Sequence, residues 1–194
     1  MSANPHAALI STAATLLDGA FERDNSVCLA IAGTIATAIA HGLPRTQWLR
    51  GLQAADGQGL METLFPGAAP DLAPISPSQV DDEELQAEFD DLLRLLLEAA
   101  APADDVRRYL ACAIASASLF DNHLWQDLQL PNRTVLSQLL NQHFPNLARR
   151  NTGNMRWKAF FYKQLCERAG QVCRAPSCGA CDDYALCFGS EEGG

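Results

Sequence analysis

The chain has 194 residues, which is enough for one substantial hydrophobic core but short for two independent domains. Its composition, with 48% apolar and 19% charged residues, is that of an ordinary globular protein and excludes the disordered and collagen-like classes. The formal net charge of −9 argues against nucleic acid as the main partner, because phosphate binding depends on Lys and Arg.

The first part of the chain is dominated by helical periodicity. A first amphipathic helix is predicted to end near Gly19, and Asn25 is a suitable N-cap for a second helix. The apolar face of the first helix consists of Leu9, Ala13, Leu16, Leu17 and Ala20. The second helix is apolar nearly all round over residues 27–40, which is too short to cross a bilayer, and Gly42 and Pro44 close it. With no basic segment before an apolar run at the start, we expect a cytoplasmic protein without a membrane partner, and reduced cysteines.

The middle of the chain predicts further helices and one loop. Short helical pieces are expected over residues 47–52 and 59–65, followed by a proline-rich loop over residues 66–77. Two apolar stripes at helical spacing then predict an antiparallel helical hairpin. The stripes consist of Leu85, Phe89, Leu92, Leu93 and Leu96, and of Val106, Tyr109, Leu110, Ala113, Ile114 and Ala117. Acidic residues at 81–84 complement the positive end of the first hairpin helix.

The last part predicts three helical pieces and an irregular tail. A short piece over residues 122–130 is followed by a helix that Asn132 caps and Pro145 ends. The final helix is expected over residues 154–169, with Trp157, Phe160, Phe161 and Leu165 inward and Gly170 as terminator. No segment alternates long enough to indicate a strand. The sequence therefore predicts a single all-α domain, with a helical body over residues 1–170 and an irregular cysteine-rich tail over residues 171–194.

Four of the seven cysteines fall within fifteen residues of this tail. They are Cys173, Cys178, Cys181 and Cys187, spaced C-x4-C-x2-C-x5-C, and we call them the cysteine segment. Thiolates bind soft metals, and without a metal the four groups would be reactive or mutually repelling, so we expect a metal-binding loop. Structural zinc sites usually combine two C-x2-C pairs, whereas C-x4-C-x2-C is typical of plant-type ferredoxins. An iron–sulfur centre is therefore favoured over zinc, and both over a pair of disulfides.

The remaining candidate ligands are isolated in the sequence. Cys28 and Cys112 lie in apolar helices and are interpreted as core thiols. Cys166 precedes the cysteine segment and is interpreted as a buried structural thiol, with a supplementary metal ligand as the alternative. His123 and His143 are the histidines most suited to supplementary metal binding, although capping or packing explains each of them as well.

Charge is strongly polarised along the chain. Residues 71–105 hold eleven acids and a single base, which we interpret as a solvated helix face. Half of all basic residues lie within residues 149–174, where Glu167 is the only acid. Arg156, Lys158 and Lys163 are the candidates for contact with a partner or an oxyanion. They would stabilise the thiolates and the cluster charge, attract an oxyanion, or dock an acidic protein.

Several motifs resemble one known family. The run MRWKAFFYKQLC at residues 155–166, followed by the cysteine segment and Phe188-Gly189, resembles the C-terminal signature of the nitrogen-fixation family NifQ. HLWQDL at residues 123–128 and HFP at residues 143–145 also resemble segments of that family. The similarity covers residues 122–189 and is looser upstream. Gln129 departs from the pattern, in which Gly is expected.

The resemblance implies a cytoplasmic metallochaperone. It implies that Cys173, Cys178, Cys181 and Cys187 hold an iron–sulfur cluster containing molybdenum (Mo-Fe-S) for iron–molybdenum cofactor (FeMo-cofactor) biosynthesis. The implied partners are the nitrogenase iron protein and cofactor-assembly scaffold proteins, with molybdate or a molybdenum–sulfur donor as the source. No nucleophile–base pair or phosphate-binding loop indicates an enzyme. The alternatives are a zinc (Zn) stabilised interaction module and an electron-transfer protein with a [4Fe-4S] cluster.

Overall fold

The computed structural model describes residues 5–69, 72–74, 82–170, 184–189 and 191. Within these ranges all regular secondary structure is helical and no strand occurs, which confirms the all-α class for the described part. The helices are α1 (Pro5–Asp18), α2 (Ser26–Ala40), α3 (Ala54–Leu64), α4 (Glu83–Leu97), α5 (Asp105–Ser118), α6 (Leu124–Asp127), α7 (Arg133–His143), α8 (Pro145–Ala148), α9 (Trp157–Arg168) and α10 (Tyr184–Phe188). No helix among them combines the length and apolar composition needed to cross a membrane.

Helix α2 forms the centre of the fold. Eleven of its 15 residues are buried, and it packs against α1, α5, α6 and α7, as its uniformly apolar sequence predicts. The Asn25 side chain accepts a hydrogen bond from the Val27 N–H at 2.9 Å, which confirms the predicted N-cap. Gly33 lies so near the end of α6 that a Cβ there would approach the Leu128 carbonyl oxygen to 2.1 Å. Glycine at this position therefore allows α6 to rest directly on the central helix.

Helices α4 and α5 pack against each other, in agreement with the predicted hairpin. Asp82 caps α4 by accepting from the Leu85 N–H, and Asp104 caps α5 by accepting from the Arg107 N–H. The apolar stripes face inward, because Phe89 and Leu110 are both fully buried. The apolar faces of α4 and α5 therefore form part of the hydrophobic core.

Several helix boundaries differ from prediction because of local geometry. Helix α3 begins at Ala54 and not near residue 59, since Gln53 and Asp56 form a capping box there. Residues 47–52 do not form a helix: a 3-10 turn over Arg45–Gln47 is followed by Gly51, whose φ of +80° ends any helical continuation. Pro145 ends α7 but also begins α8, since proline is well suited to the first position of a helix. Helix α9 begins at Trp157 because Asn154 has a left-handed φ of +54°.

The described part of the proline-rich loop packs on the body. The Gly67 N–H donates to the Gly19 carbonyl at 2.9 Å, and Arg45 Nε donates to the Ala73 carbonyl at 2.6 Å. Residues 70–71 and 75–77 of this loop lie outside the described ranges.

Helix α9 carries the end of the chain. Its inner face is formed by Trp157, Phe160 and Phe161 as predicted, but Gln164 is buried where Leu165 was expected, and Leu165 is half-buried. Gly170, with φ +70°, follows the helix as the expected terminator. Helix α10, which packs on α9, was not predicted, because five residues are too few to show a helical period.

Candidate metal centre

The structure describes one member of the cysteine segment. Cys187 lies in α10, half-buried, and packs at the edge of the main hydrophobic core. Cys173, Cys178 and Cys181, together with the rest of residues 171–183, lie outside the described ranges. Of the four predicted thiol ligands, Cys187 is therefore the one whose surroundings the structure describes.

The position of Cys187 is set by contacts with the start of α9. The Arg156 N–H donates to the Cys187 carbonyl at 2.7 Å, and the ring of Phe188 lies against Gly153. The side chains of Tyr184 and Leu186 on the same helix are exposed, at 49% and 65%. One side of α10 is thus fixed on the body, while the other is open to solvent.

A second contact with the body lies four residues after Cys187. Glu191 is buried, with its Oε1 3.7 Å from Arg133 Nη1 and 3.8 Å from His123 Nδ1. His123 is also the N-cap residue of α6, where its N–H donates to Gln126 Oε1 at 3.1 Å. The structure therefore places His123 beside the end of the cysteine-rich tail.

His143 lies apart from this region, buried at the end of α7. Its Nδ1 has no hydrogen-bond partner among the described residues, and burial lowers its pKa, with Arg107 adding to the effect. In the described ranges no three His, Cys, Asp or Glu side chains converge as a metal site. The helical body itself thus offers no alternative centre in the part that is described.

The three cysteines outside the cysteine segment differ in exposure. Cys28 and Cys112 are buried, which confirms them as core thiols, and burial raises the pKa of Cys112 to about 12. Cys166 is exposed, so its prediction as a buried thiol is wrong. The inner face of α9 runs through Phe161 and Gln164, and Cys166, two residues beyond Gln164, points away from it. Cys166 remains a candidate supplementary ligand.

This difference in exposure predicts a difference in thiol reactivity. In the reduced, metal-free full-length chain, we expect an alkylating reagent to modify Cys166 at least about tenfold faster than Cys28 or Cys112, because the buried thiols are protonated and inaccessible. Peptide mass spectrometry over a time course measures the three rates separately. Alkylation after denaturation in urea is the control, and equal rates in the folded chain would contradict the described burial.

Lys158, a predicted candidate for contact with a partner or oxyanion, is largely buried and paired within the chain. Its ammonium group donates to Asp127 Oδ2 at 2.6 Å and to the Phe120 carbonyl at 2.6 Å, and its side chain is 17% exposed. Burial lowers the pKa of Lys158, and the hydrogen bond that Lys158 donates to the Asp127 carboxylate partly offsets this shift. Lys158 is buried because of a tertiary contact: the Asp127 carboxylate at the end of α6 lies opposite it. Lys158 therefore joins α9 to α6.

The other basic residues of α9 and its flanks are largely paired within the chain. Arg150 and Lys163 lie 3.7 and 3.8 Å from carboxylate oxygens of Glu167, and Arg168 lies 2.7 Å from Glu98. The Lys163 side chain is 40% exposed, and such surface pairs contribute little stability and exchange readily. Lys163 thus remains accessible to a partner, whereas the guanidinium of Arg156 binds the backbone of the tail.

Sequence reasoning assigned no role to three residues that shape this region. Asp127 pairs with Lys158, and Arg133 and Glu191 join α7 to the end of the chain. Asp127 stands within the HLWQDL motif, so its position was visible although its partner was not. Arg133 and Glu191 carry no sequence signal, because they lie 58 positions apart and meet only in the folded chain.

Comparisons with known proteins find one matching family model and several similar relatives. The NifQ family model matches residues 30–189. Protein NifQ of Azotobacter vinelandii is 49% identical over 105 residues, covering 54% of this chain and 54% of that protein. The Protein NifQ homolog of Sinorhizobium fredii (strain NBRC 101917 / NGR234) is 42% identical over 144 residues, covering 74% of this chain and 62% of that protein.

A third relative is covered more fully. Protein NifQ of Rhodobacter capsulatus is 39% identical over 140 residues, covering 71% of this chain and 74% of that protein. The match to the first two relatives spans only 54% and 62% of their own length. No solved structure matches the chain. The family match reaches upstream to residue 30, beyond the motifs at residues 122–189.

Proposed function

Because the chain belongs to the NifQ family, we propose that it serves nitrogen fixation by supplying molybdenum for iron–molybdenum cofactor biosynthesis. In this proposal it is a metal donor and not an enzyme. Its cargo is an iron–sulfur cluster containing molybdenum, held by Cys173, Cys178, Cys181 and Cys187. The observation that carries the proposal is this set of four closely spaced thiols, which lies entirely within the family match.

The chemistry of the donor set supports this cargo. Four thiolates form a soft ligand set, which suits iron–sulfur clusters better than hard oxygen-preferring metals. His123 lies beside Glu191 near the end of the tail, and Cys166 is exposed on the helix that precedes it. These two residues are the supplementary ligands that the described geometry favours over His143, which is buried at the end of α7.

Transfer of the cargo requires that a partner reach the cluster. The half-buried Cys187 and the exposed side chains of Tyr184 and Leu186 lie on the same short helix, so a docking protein has access to the thiol from that side. Lys163 offers an exposed cation for an acidic partner surface. The partners in this proposal are the nitrogenase iron protein and the scaffold proteins of cofactor assembly. Molybdate or a molybdenum–sulfur donor supplies the metal in the cytoplasm.

The experiment is anaerobic reconstitution of the full chain with iron, sulfide and molybdate, followed by metal and sulfide analysis of the desalted protein. We expect all three elements to be retained, and molybdenum to pass to a cofactor-assembly scaffold in a subsequent transfer assay. Zinc as the sole retained metal, without sulfide, would replace the carrier by a zinc-stabilised interaction module. Iron and sulfide without molybdenum, together with reversible reduction, would indicate an electron-transfer protein.

A further inference from the structure

Helix α10 cannot owe its position to its own stability. It contains five residues, far fewer than the length at which an isolated helix becomes stable in water. Two of those residues, Tyr184 and Leu186, are largely exposed and contribute little burial. Contacts with the body must therefore hold this helix, and with it Cys187, in place.

Arg156 supplies most of the described polar contacts to α10. Its N–H donates to the Cys187 carbonyl at 2.7 Å, its Nε donates to the Gly189 carbonyl at 3.1 Å, and its Nη1 donates to the Leu186 carbonyl at 3.3 Å. The carbonyls at the C-terminal end of a helix have no partners within that helix, so a cation there satisfies them and complements the negative end of the dipole. One residue at the start of α9 thus caps α10 around the metal-binding thiol.

The space around this cap is fully used. A Cβ placed on Gly189 would lie 2.4 Å from the Ala185 carbonyl oxygen and 2.9 Å from Arg156 Nη2. A side chain at position 189 would therefore collide with both the backbone of α10 and the guanidinium. Glycine at this position permits the guanidinium to reach the end of the helix.

A second contact fixes the chain beyond α10. The buried carboxylate of Glu191 faces Arg133, whose Nη2 donates to the carbonyls of Asn154 and Met155 at 2.8 and 2.9 Å. Arg133 therefore binds both Glu191 and the residues immediately before Arg156. Arg156 and Arg133 therefore hold residues 186–189 and Glu191 against the same part of the body.

We propose that Arg156 is a positioning residue for the metal centre: its guanidinium holds the Cys187 thiol ready for metal by binding the backbone carbonyls of residues 186 and 189. The bond from the Arg156 backbone N–H to the Cys187 carbonyl is present whatever side chain stands at position 156. The inference rests on the proposed function only in requiring that Cys187 is a metal ligand. A ligand that is already ordered loses less conformational entropy when metal binds, so loss of the anchor weakens metal binding through Cys187 alone.

The test is a double-mutant cycle between Arg156→Gln and Cys187→Ala, with Co²⁺ as the probe metal on the anaerobic, metal-free full chain. The absorption of thiolate-bound cobalt gives the dissociation constant for each of the four proteins. We expect Arg156→Gln to weaken binding about tenfold when Cys187 is present, as for other residues that orient metal ligands. In the Cys187→Ala background it should change binding less than about twofold, because the residue it orients is gone.

Three further variants make the result specific. Gly189→Ala displaces the same cap from the opposite side and should weaken Co²⁺ binding in the same direction, which provides a second route if Arg156→Gln does not fold. Arg168→Gln removes an arginine of α9 that pairs with Glu98 and should leave binding unchanged. Arg156→Lys keeps the charge but cannot reach several carbonyls at once, so it should give an intermediate loss.

The outcomes separate this inference from the proposed function. An equal loss from Arg156→Gln in both backgrounds, or no loss in either, would overturn the positioning role. No effect of Cys187→Ala on Co²⁺ binding would overturn it as well, because Cys187 would then not be a ligand. If Arg156→Gln and Cys187→Ala are coupled in Co²⁺ binding but the chain never retains molybdenum, the carrier function is rejected and the positioning role of Arg156 stands. If the chain retains molybdenum but the two substitutions are not coupled, only the positioning role of Arg156 is rejected.

Discussion

Replacing Cys181 by Ala is expected to abolish cluster binding while the helical body keeps its stability. Cys181 is the second member of the C-x2-C pair of the cysteine segment, so its loss leaves three thiols for a centre that is proposed to use four. In the described part of the chain, the apolar faces of α2, α4 and α5 pack together to form the core. We therefore expect reconstituted Cys181→Ala to retain less than about a tenth of the wild-type iron and molybdenum, in keeping with loss of a direct ligand.

The measurement combines metal analysis with thermal unfolding of the metal-free proteins followed by circular dichroism. Cys28→Ala is the matched control that also removes one thiol, and it should keep its metal although its core packing is weakened. Cys166→Ala reports separately on supplementary ligation, through a partial loss of metal if that exposed thiol participates. A Cys181→Ala chain that fails to fold would show that the tail is structural, contrary to the carrier proposal.

Among the described ion pairs, the one between Lys158 and Asp127 is the most buried, and its disruption predicts a large loss of stability. The Asp127 side chain is 1% exposed, and its Oδ1 also accepts a hydrogen bond from Asn122 Nδ2 at 3.1 Å. Asp127→Ala leaves the ammonium group of Lys158 buried without its counter-ion, which costs about 3 kcal/mol of unfolding free energy. Equilibrium unfolding in urea measures this loss.

Two comparisons test whether burial is the cause. Glu167→Ala removes the exposed partner of Lys163 and Arg150 and should cost less than about 1 kcal/mol, because water screens surface pairs. Replacing both members of the buried pair, with Lys158→Met and Asp127→Leu, should recover much of the stability lost in Asp127→Ala, since no unpaired charge then remains. A cost for Asp127→Ala as small as that for Glu167→Ala would contradict a buried pair.

The features that could be predicted from sequence are those encoded by neighbouring residues. Asn25 and Asn132 each cap a helix by binding an N–H two or three residues ahead, so composition and local spacing were sufficient to find them. The apolar stripes of α4 and α5 likewise encode their own buried faces. Local chemistry and helical period were therefore reliable guides to the body of the fold.

The direction in which side chains point in the folded chain could not be predicted in the same way. A count of charges indicated a basic surface, but it could not show that α6 brings Asp127 to Lys158 across 31 positions. Nor could it show that Arg156 binds the carbonyls of α10, because those partners lie 30 and 33 positions away. Cys166 was predicted to be buried because cysteine usually is, and not because it lies on the apolar face of α9.

The close approach of α2 and α6 at Gly33 connects the central helix to α9 through a series of contacts. Thr37, one turn further along α2, donates to the carbonyl of Asp127 at 3.1 Å, and Asp127 in turn holds α9 through Lys158. A methyl group at position 33 would displace the Leu128 carbonyl and the end of α6. This displacement would weaken the contact between Thr37 and Asp127 and, through it, the pair between Asp127 and Lys158. A substitution that disturbs the contacts of α9 can therefore lie in a deeply buried helix, at a residue that has neither sulfur nor charge.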